Sequence, residues 1–370
     1  MRNGVVGVGV IGTGFGSIVQ APGFSRAPGC KVVAIASGHR ERAEAAARQL
    51  GIPFATDDYR ALLARDDVDL VCVSAPPYLH HEMTLAALAA GKHVLCEKPM
   101  AADRWQAWEM ERRVRETGRI GLIDFELRCM PTRAYMKELI AGGYLGVLFW
   151  VHATHFGGFR GKAMDDVPYD WLAQKKYAGG MLGAMGCHYV DAFRWWFGEV
   201  TGLYAELDTR AKARPLPDGS GTREADSDDT IWCSMKLDNG AMATLVVSTA
   251  VRHGSGARIE AYGSEGTLVL ENDGPLFGAR AGDARLTELP LPARLLSPAE
   301  GEDRRLRAFI PWARRVVDAV RQQQQITPDF HDGARCQEVM DAIHRSSETR
   351  RWVGLPLESR RGSGQVGGAT

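Results

Sequence analysis

The chain has 370 residues, 45% hydrophobic and 24% charged, the balance of a globular protein with room for two domains of ordinary size. Lysine plus arginine equals aspartate plus glutamate at 45 each, so the formal net charge is zero and no general electrostatic pull toward nucleic acid or an anionic membrane is expected. The seven cysteines, at 30, 72, 96, 129, 187, 233 and 336, are scattered without Cys-x-x-Cys spacing. That pattern predicts free thiols in a reducing compartment rather than a disulfide frame or zinc site. No apolar run approaches the roughly 18 residues of a membrane span, and Met1-Arg2-Asn3-Gly4 leads straight into a strand-like run without a signal-peptide layout, so a cytoplasmic location is expected.

Residues 5–11 are a short apolar run of the kind that forms a buried parallel strand, followed by Gly12-Thr13-Gly14-Phe15-Gly16-Ser17. This is the dinucleotide fingerprint with serine in the third glycine's place. Gly12 would allow the tight turn, Gly14 would let the backbone approach a pyrophosphate at a helix N-terminus, and Ser17 would be small enough for helix–strand packing. With Thr13, Phe15 and Gly16 these are the first cofactor-binding candidates. A second strand, 31–36, ends in Ser37-Gly38-His39-Arg40 with no acid for the ribose hydroxyls. Ser37, His39 and Arg40 could instead hold a 2′-phosphate, which tilts the expectation toward NADP over NAD.

A helix over 41–50 ends at Gly51. A strand over 69–75 delivers Ala75-Pro76-Pro77-Tyr78-Leu79-His80, and a helix over 81–90 ends at Gly91. Val94-Leu95-Cys96-Glu97-Lys98-Pro99 then runs from a buried strand into an acid, a lysine and a proline. Proline cannot continue the ladder, so Lys98 stands at the strand's carboxyl end, the edge where open α/β sheets bind ligands. A helix over 104–117 and a strand over 120–125 complete a βα alternation that reads as a doubly wound parallel sheet. Beyond residue 125 the pattern changes. A helix over 131–141 is followed by strand-rich sequence from 147, with hairpins around Asp238-Asn239-Gly240 and Gly263-Ser264-Glu265-Gly266, loops at 214–229 and 271–303, and helices near 304–324 and 331–348. The expected division is a Rossmann domain over 1–125, an α+β substrate-binding and oligomerisation domain with a large open-faced, mainly antiparallel sheet over 126–358, and a flexible tail over 359–370.

The glycine turn, Ala75–His80 and Gly91–Pro99 together resemble the Gfo/Idh/MocA oxidoreductase family. The resemblance continues through Glu126-Leu127-Arg128-Cys129-Met130-Pro131, Gly142–Gly146, Gly179–Asp191 and Phe330-His331-Asp332-Gly333, and so covers nearly the whole chain. It implies hydride transfer between NAD(P) and a sugar or cyclitol hydroxyl carbon, and an open sheet face that makes a homodimer or homotetramer. It maps the family's lysine to Lys98 and its histidine to His188. Three departures stand out. Ala184 replaces the aspartate four residues before the histidine, Pro77 replaces an asparagine, and the three-glycine run is reduced to Gly179-Gly180 after Ala178.

Oxidising a secondary alcohol removes a hydride, taken by the cofactor, and a proton, which needs a positioned base. Lys98, with a pKa expected to be lowered by partial burial, and His188 are the catalytic candidates. Asp191, three positions after His188, could share its helical face and orient it, or could cap or solvate. Ala75, Pro76, His80, Glu97 and Lys98 are expected to line the cofactor. Lys98, Glu126, Arg128, Trp171, Lys175, His188 and Asp191 are expected to line the cleft for a small sugar-like substrate. His152 and His155 should face opposite sides of a strand, and no carboxylate or histidine cluster has metal spacing, so no metal is expected. Two alternatives remain at this stage: a glycoside-cleaving enzyme that keeps NAD bound for a transient oxidation, and a non-catalytic nucleotide- and ligand-binding regulator.

Overall fold

The computed structural model describes residue 1 and residues 4–159, 161–296 and 303–358; the expected tail over 359–370 lies outside the described residues. Six strands, β1 (Val6–Ile11), β2 (Cys30–Ala36), β3 (Ala55–Thr56), β4 (Leu70–Val73), β5 (His93–Cys96) and β6 (Gly121–Ile123), form a parallel sheet in the order β3-β2-β1-β4-β5-β6. β1, β4, β5 and β6 are buried at every position, as a sheet covered on both faces requires. The connections carry α1 (Ala21–Ser25), α2 (Arg40–Leu50), α3 (Tyr59–Leu63), α4 (His80–Ala89) and α5 (Arg104–Thr117). Their ends follow local chemistry. Asp103 accepts from the Gln106 N–H to open α5, and Gly118, at φ 62°, closes it in the left-handed conformation that glycine adopts without a Cβ clash.

α6 (Pro131–Ala141) leads to β7 (Leu148–Phe156), and α7 (Cys187–Phe197) to β8 (Val200–Asp208). The remaining strands are β9 (Ala213–Pro215), β10 (Thr222–Glu224), β11 (Thr230–Leu237), β12 (Met242–Ser248), β13 (Gly256–Gly263), β14 (Gly266–Glu271), β15 (Leu276–Arg280) and β16 (Thr287–Glu288). α8 (Arg304–Gln322), α9 (Phe330–Thr349) and β17 (Val353–Gly354) end the described chain. Nine of these strands form one sheet, β16-β15-β14-β13-β7-β12-β11-β8-β17, antiparallel throughout except between β7 and β12. The architecture is thus a Rossmann-type sheet plus a large, mostly antiparallel one.

The stretches 214–229 and 271–303, expected as loops, contain strands. β9 pairs with β10, while β15 and β16 extend the large sheet at one edge. They are short strands at or next to a sheet edge, two to five residues each, too short for periodicity to reveal them. Inward positions of the large sheet, such as Ile231, Cys233, Met235 and Leu237, pack in a core shared with α7 and α9. α8 instead packs on the first sheet. Phe309, Trp312, Val316, Val317 and Val320 join Val6, Val8, Val10 and Phe24 in one core, with the Phe24 and Phe309 rings edge to face at 5.4 Å. All seven cysteines are free thiols. No helix among the described residues is long and apolar enough to cross a membrane.

Candidate active site

The glycine turn joins β1 to the helical turn Gly16–Gln20 that runs into α1. At Gly12, φ is +119° and an added Cβ would lie 2.3 Å from the Ser74 carbonyl oxygen, so only glycine fits. At Gly14 an added Cβ would meet nothing within 4 Å, which leaves an open cradle. The helix–strand packing expected of Ser17 belongs to Gly16, where an added Cβ would lie 2.8 Å from Val10 Cγ1; Ser17 Oγ instead donates to the Thr13 carbonyl at 2.6 Å. Thr13 Oγ1 lies 3.3 Å from Ser37 Oγ, so the turn and the end of β2 come together. A bare backbone facing open space at a helix start suits a pyrophosphate, and these residues fit a dinucleotide. Phe15 packs partly against the core beside them. His39 and Arg40 are exposed, and Arg40 already pairs with Glu44 at 2.9 Å.

His80 ties the next two pieces together. Its ring nitrogens lie 2.7 Å from the Ala75 carbonyl and 2.9 Å from the Pro99 carbonyl, clamping the Ala75-Pro76 turn to the Lys98-Pro99 step from a fully buried position. Lys98 is half-buried, and its Nζ donates to the Ala184 carbonyl at 3.0 Å. The main chain at 184 therefore receives the ammonium in a sequence where the side chain there has no acid to offer. Asp228 holds that segment in place: its Oδ2 accepts from the Leu182 N–H at 2.7 Å.

The lowered Lys98 pKa expected from the sequence is not found. Burial pulls the ammonium down, but Cys187, Glu97, Glu126 and Asp124 pull it up further, and the net shift is upward. His188 goes the other way. Burial, then the positive charges of Lys98, Arg133 and Arg304, hold its imidazole well below its ordinary value. The His188 ring meets Phe125 edge-on at 6.2 Å and makes no hydrogen bond to the described residues. Lys98 is thus the charged member of the pair and His188 a neutral imidazole with unused hydrogen-bonding capacity. Glu126 is buried, its Oε2 has no partner among the described residues, and burial followed by the Asp124 charge pushes it up to about 8.

Other candidates do not join the cleft as free groups. Asp191 does not orient His188, because both its oxygens are taken by Arg128, at 3.0 Å from Nε and 2.6 Å from Nη2. Arg128 also reaches Asp332 at 3.1 Å, so this buried network cross-braces α7 and α9. Lys175 is exposed and paired with Glu348 at 2.9 Å on α9. Trp171 packs against the small core of Met164, Leu172 and Met181. His152 and His155 bond Thr244 and Tyr189 respectively, on opposite faces of β7. Two contributions are not read from the sequence. Tyr177 packs on Tyr78 with ring centroids 4.9 Å apart, bridging the Ala75–His80 turn and the segment before Gly179. Gln20 and Asp124 stand with Glu97 behind Lys98. Asp124 is visible in principle as a lone acid closing an apolar strand, whereas nothing local marks Gln20.

The profile of the oxidoreductase family with an NAD-binding Rossmann fold matches residues 1–125, and that of the GFO/IDH/MocA C-terminal domain matches 134–269. An uncharacterised oxidoreductase of Synechocystis is 31% identical over 358 residues, covering 94% of this chain and 96% of its own. Levoglucosan dehydrogenase of Pseudarthrobacter phenanthrenivorans is 28% identical over 94% of this chain and 98% of its own. A solved levoglucosan dehydrogenase in complex with NADH and levoglucosan superposes with a TM-score of 0.86, at 27% identity, over 95% of this chain and 99% of that one. With a dinucleotide cradle, an Ala75–His80 clamp and a half-buried lysine in the places that these matches span, the chain belongs to the GFO/IDH/MocA family of NAD-binding oxidoreductases.

Proposed function

We propose that the protein transfers a hydride between a nicotinamide dinucleotide and a hydroxyl or carbonyl carbon of a sugar or sugar-derived substrate, with Lys98 exchanging the proton and His188 assisting. The observation that carries this reading is the Lys98 ammonium, held at 3.0 Å on the Ala184 carbonyl beside a neutral imidazole that has no protein partner among the described residues. The dinucleotide supplies the hydride acceptor or donor when bound. The chain's own task is to present the alcohol oxygen to a group that can take or give a proton.

The substrate class rests on likeness to levoglucosan dehydrogenase, so anhydrosugars head the candidates, followed by cyclitols and sugar acids. At the adenosine end, NADP is favoured over NAD on one feature: β2 ends in Ser37-Gly38-His39-Arg40 with no carboxylate to accept from the ribose hydroxyls. The open face of the large sheet exposes Trp150, Trp232 and Tyr262, and is proposed to pair with a second copy of the chain. Wild-type protein incubated with NAD+ or NADP+ and a panel of these sugars should build up reduced nicotinamide absorbance with at least one of them. Bound cofactor that cycles without net reduction, while a glycosidic bond is cleaved, would replace this reading with a glycoside-cleaving one.

A further inference from the structure

Two carboxyls at the carboxyl end of the first sheet bear on the chemistry above only through their charge beside Lys98. Glu97 follows β5 and Asp124 follows β6. Because Cys96 pairs with Ile123 in the parallel ladder, the two acids leave neighbouring strands side by side. Gln20, fully buried in the helical turn after the glycine loop, donates from one Nε2 to Glu97 Oε1 at 3.0 Å and to Asp124 Oδ2 at 2.8 Å. One amide nitrogen that reaches both makes the carboxyls immediate neighbours. The Lys98 backbone N–H donates to Glu97 Oε2 at 3.2 Å, and Asp124 Oδ1 is buried without a partner among the described residues.

Two adjacent carboxylates in a dry site cannot both stay ionised, so the pair shares a proton. Its place in the fold decides what that proton responds to. A dinucleotide straddles the reversal of strand order between β1 and β4, with its adenosine half on the β2 side, where Ser37 stands, and its nicotinamide half on the β4–β6 side, where this pair stands. The oxidised nicotinamide ring is a cation and the reduced ring is neutral.

We propose that the Glu97–Asp124 pair senses the redox state of the cofactor, releasing its shared proton to solvent when the oxidised dinucleotide binds and keeping it when the reduced one binds. This rests on the dinucleotide-binding reading above and adds a charge-sensing role for Asp124, a positioning residue. A positive charge within about 4–6 Å lowers a carboxyl pKa by about 1–3 units. Burial, opposed by the Lys98 charge, leaves Glu97 at about 7, and burial together with Glu97 holds Asp124 well above its ordinary range. The other titratable groups facing the pair are Lys98, Glu126 and the thiols of Cys72, Cys96, Cys129 and Cys187. Burial raises all four thiols, so only Glu126 shares the neutral range.

The test is calorimetric titration of the protein with NAD+, NADH, NADP+ and NADPH, without substrate, near pH 7 in buffers of different ionisation enthalpy. The oxidised forms should release about half a proton or more per site and the reduced forms almost none. Asp124→Asn should still bind dinucleotide but abolish the difference, whereas Glu126→Gln should retain it. Should Asp124→Asn fail to fold, the wild-type affinity ratio of oxidised to reduced dinucleotide decides: it should rise roughly three- to tenfold between about pH 6 and 8. Binding with equal proton release for both redox forms, release unchanged in Asp124→Asn, or a flat ratio overturns the sensing role alone. Failure to bind any of the four dinucleotides overturns the functional reading with it.

Discussion

An ammonium in a protein interior loses its proton to desolvation unless nearby negative charge compensates, and at Lys98 the compensation wins. A charged Lys98 is ready to donate to the oxygen of a carbonyl being reduced. To act in the oxidative direction it must first shed its proton, so oxidation should speed up as pH rises while reduction does not. Glu126 carries a stability consequence of its own. Its folded-state pKa, about 8, stands above the ordinary 4.5, so the folded protein holds a proton that the unfolded chain releases over that interval. The stability this confers is complete below the unfolded value and is lost as pH rises through the folded one. Thermal melts of the unliganded protein should therefore show Glu126→Gln more stable than wild type near pH 8.5, and the advantage gone near pH 5. Equal melting temperatures at both pH values would show that Glu126 is ionised in the folded state. The sequence marks Lys98 through the proline that stops its strand, but not the direction of its shift, because that depends on Asp124 and Glu126, brought close by the ladder between β5 and β6. Asp191 is misread for a related reason: helical spacing offers it to His188, but Arg128, 63 residues earlier, takes both oxygens.

The loop between β1 and α1 shows how one short element divides its labour. Gly12 has a fold role, since a methyl there would strike the Ser74 carbonyl, whereas Gly14 faces open space. Gly12→Ala should destabilise the protein by about 1–3 kcal/mol, as expected of strain at a left-handed position. Gly14→Ala should leave the melting temperature nearly unchanged but weaken dinucleotide binding by about tenfold or more, measured by fluorescence titration. If both variants bind normally, the cradle is not where the pyrophosphate lies. The element is legible because its signal is local: a strand, a glycine turn and a helix start in succession. The short strands β9, β10, β15 and β16 escape for the opposite reason, since their pairing partners, not their own residues, make them strands.

Across the molecule, the chain crosses between its sheets more than once. α8 follows most of the large sheet in sequence yet supplies Phe309, Trp312 and Val316 to the core beside β1. Such closure is long-range, and a helical period shows only that α8 is amphipathic, not which sheet it covers. A fragment ending at residue 125 would leave that apolar surface bare, so it should aggregate where the full chain does not. The open face of the large sheet is the proposed pairing surface. Trp232 is 44% exposed, with Tyr204 edge-on at 5.8 Å. Trp232→Lys should shift sedimentation velocity toward the monomer while leaving the melting profile of the fold in place. A wild-type chain that sediments as a monomer at micromolar concentration would remove the proposed pairing.

The proposed proton exchange by the Lys98 amine is tested most directly in the Lys98→Ala variant, with turnover and dinucleotide affinity determined side by side. Nucleotide affinity should change little while turnover falls by at least about a hundredfold, the scale of a lost general acid–base group. Turnover equal to wild type, in a variant that binds the dinucleotide normally, would contradict it.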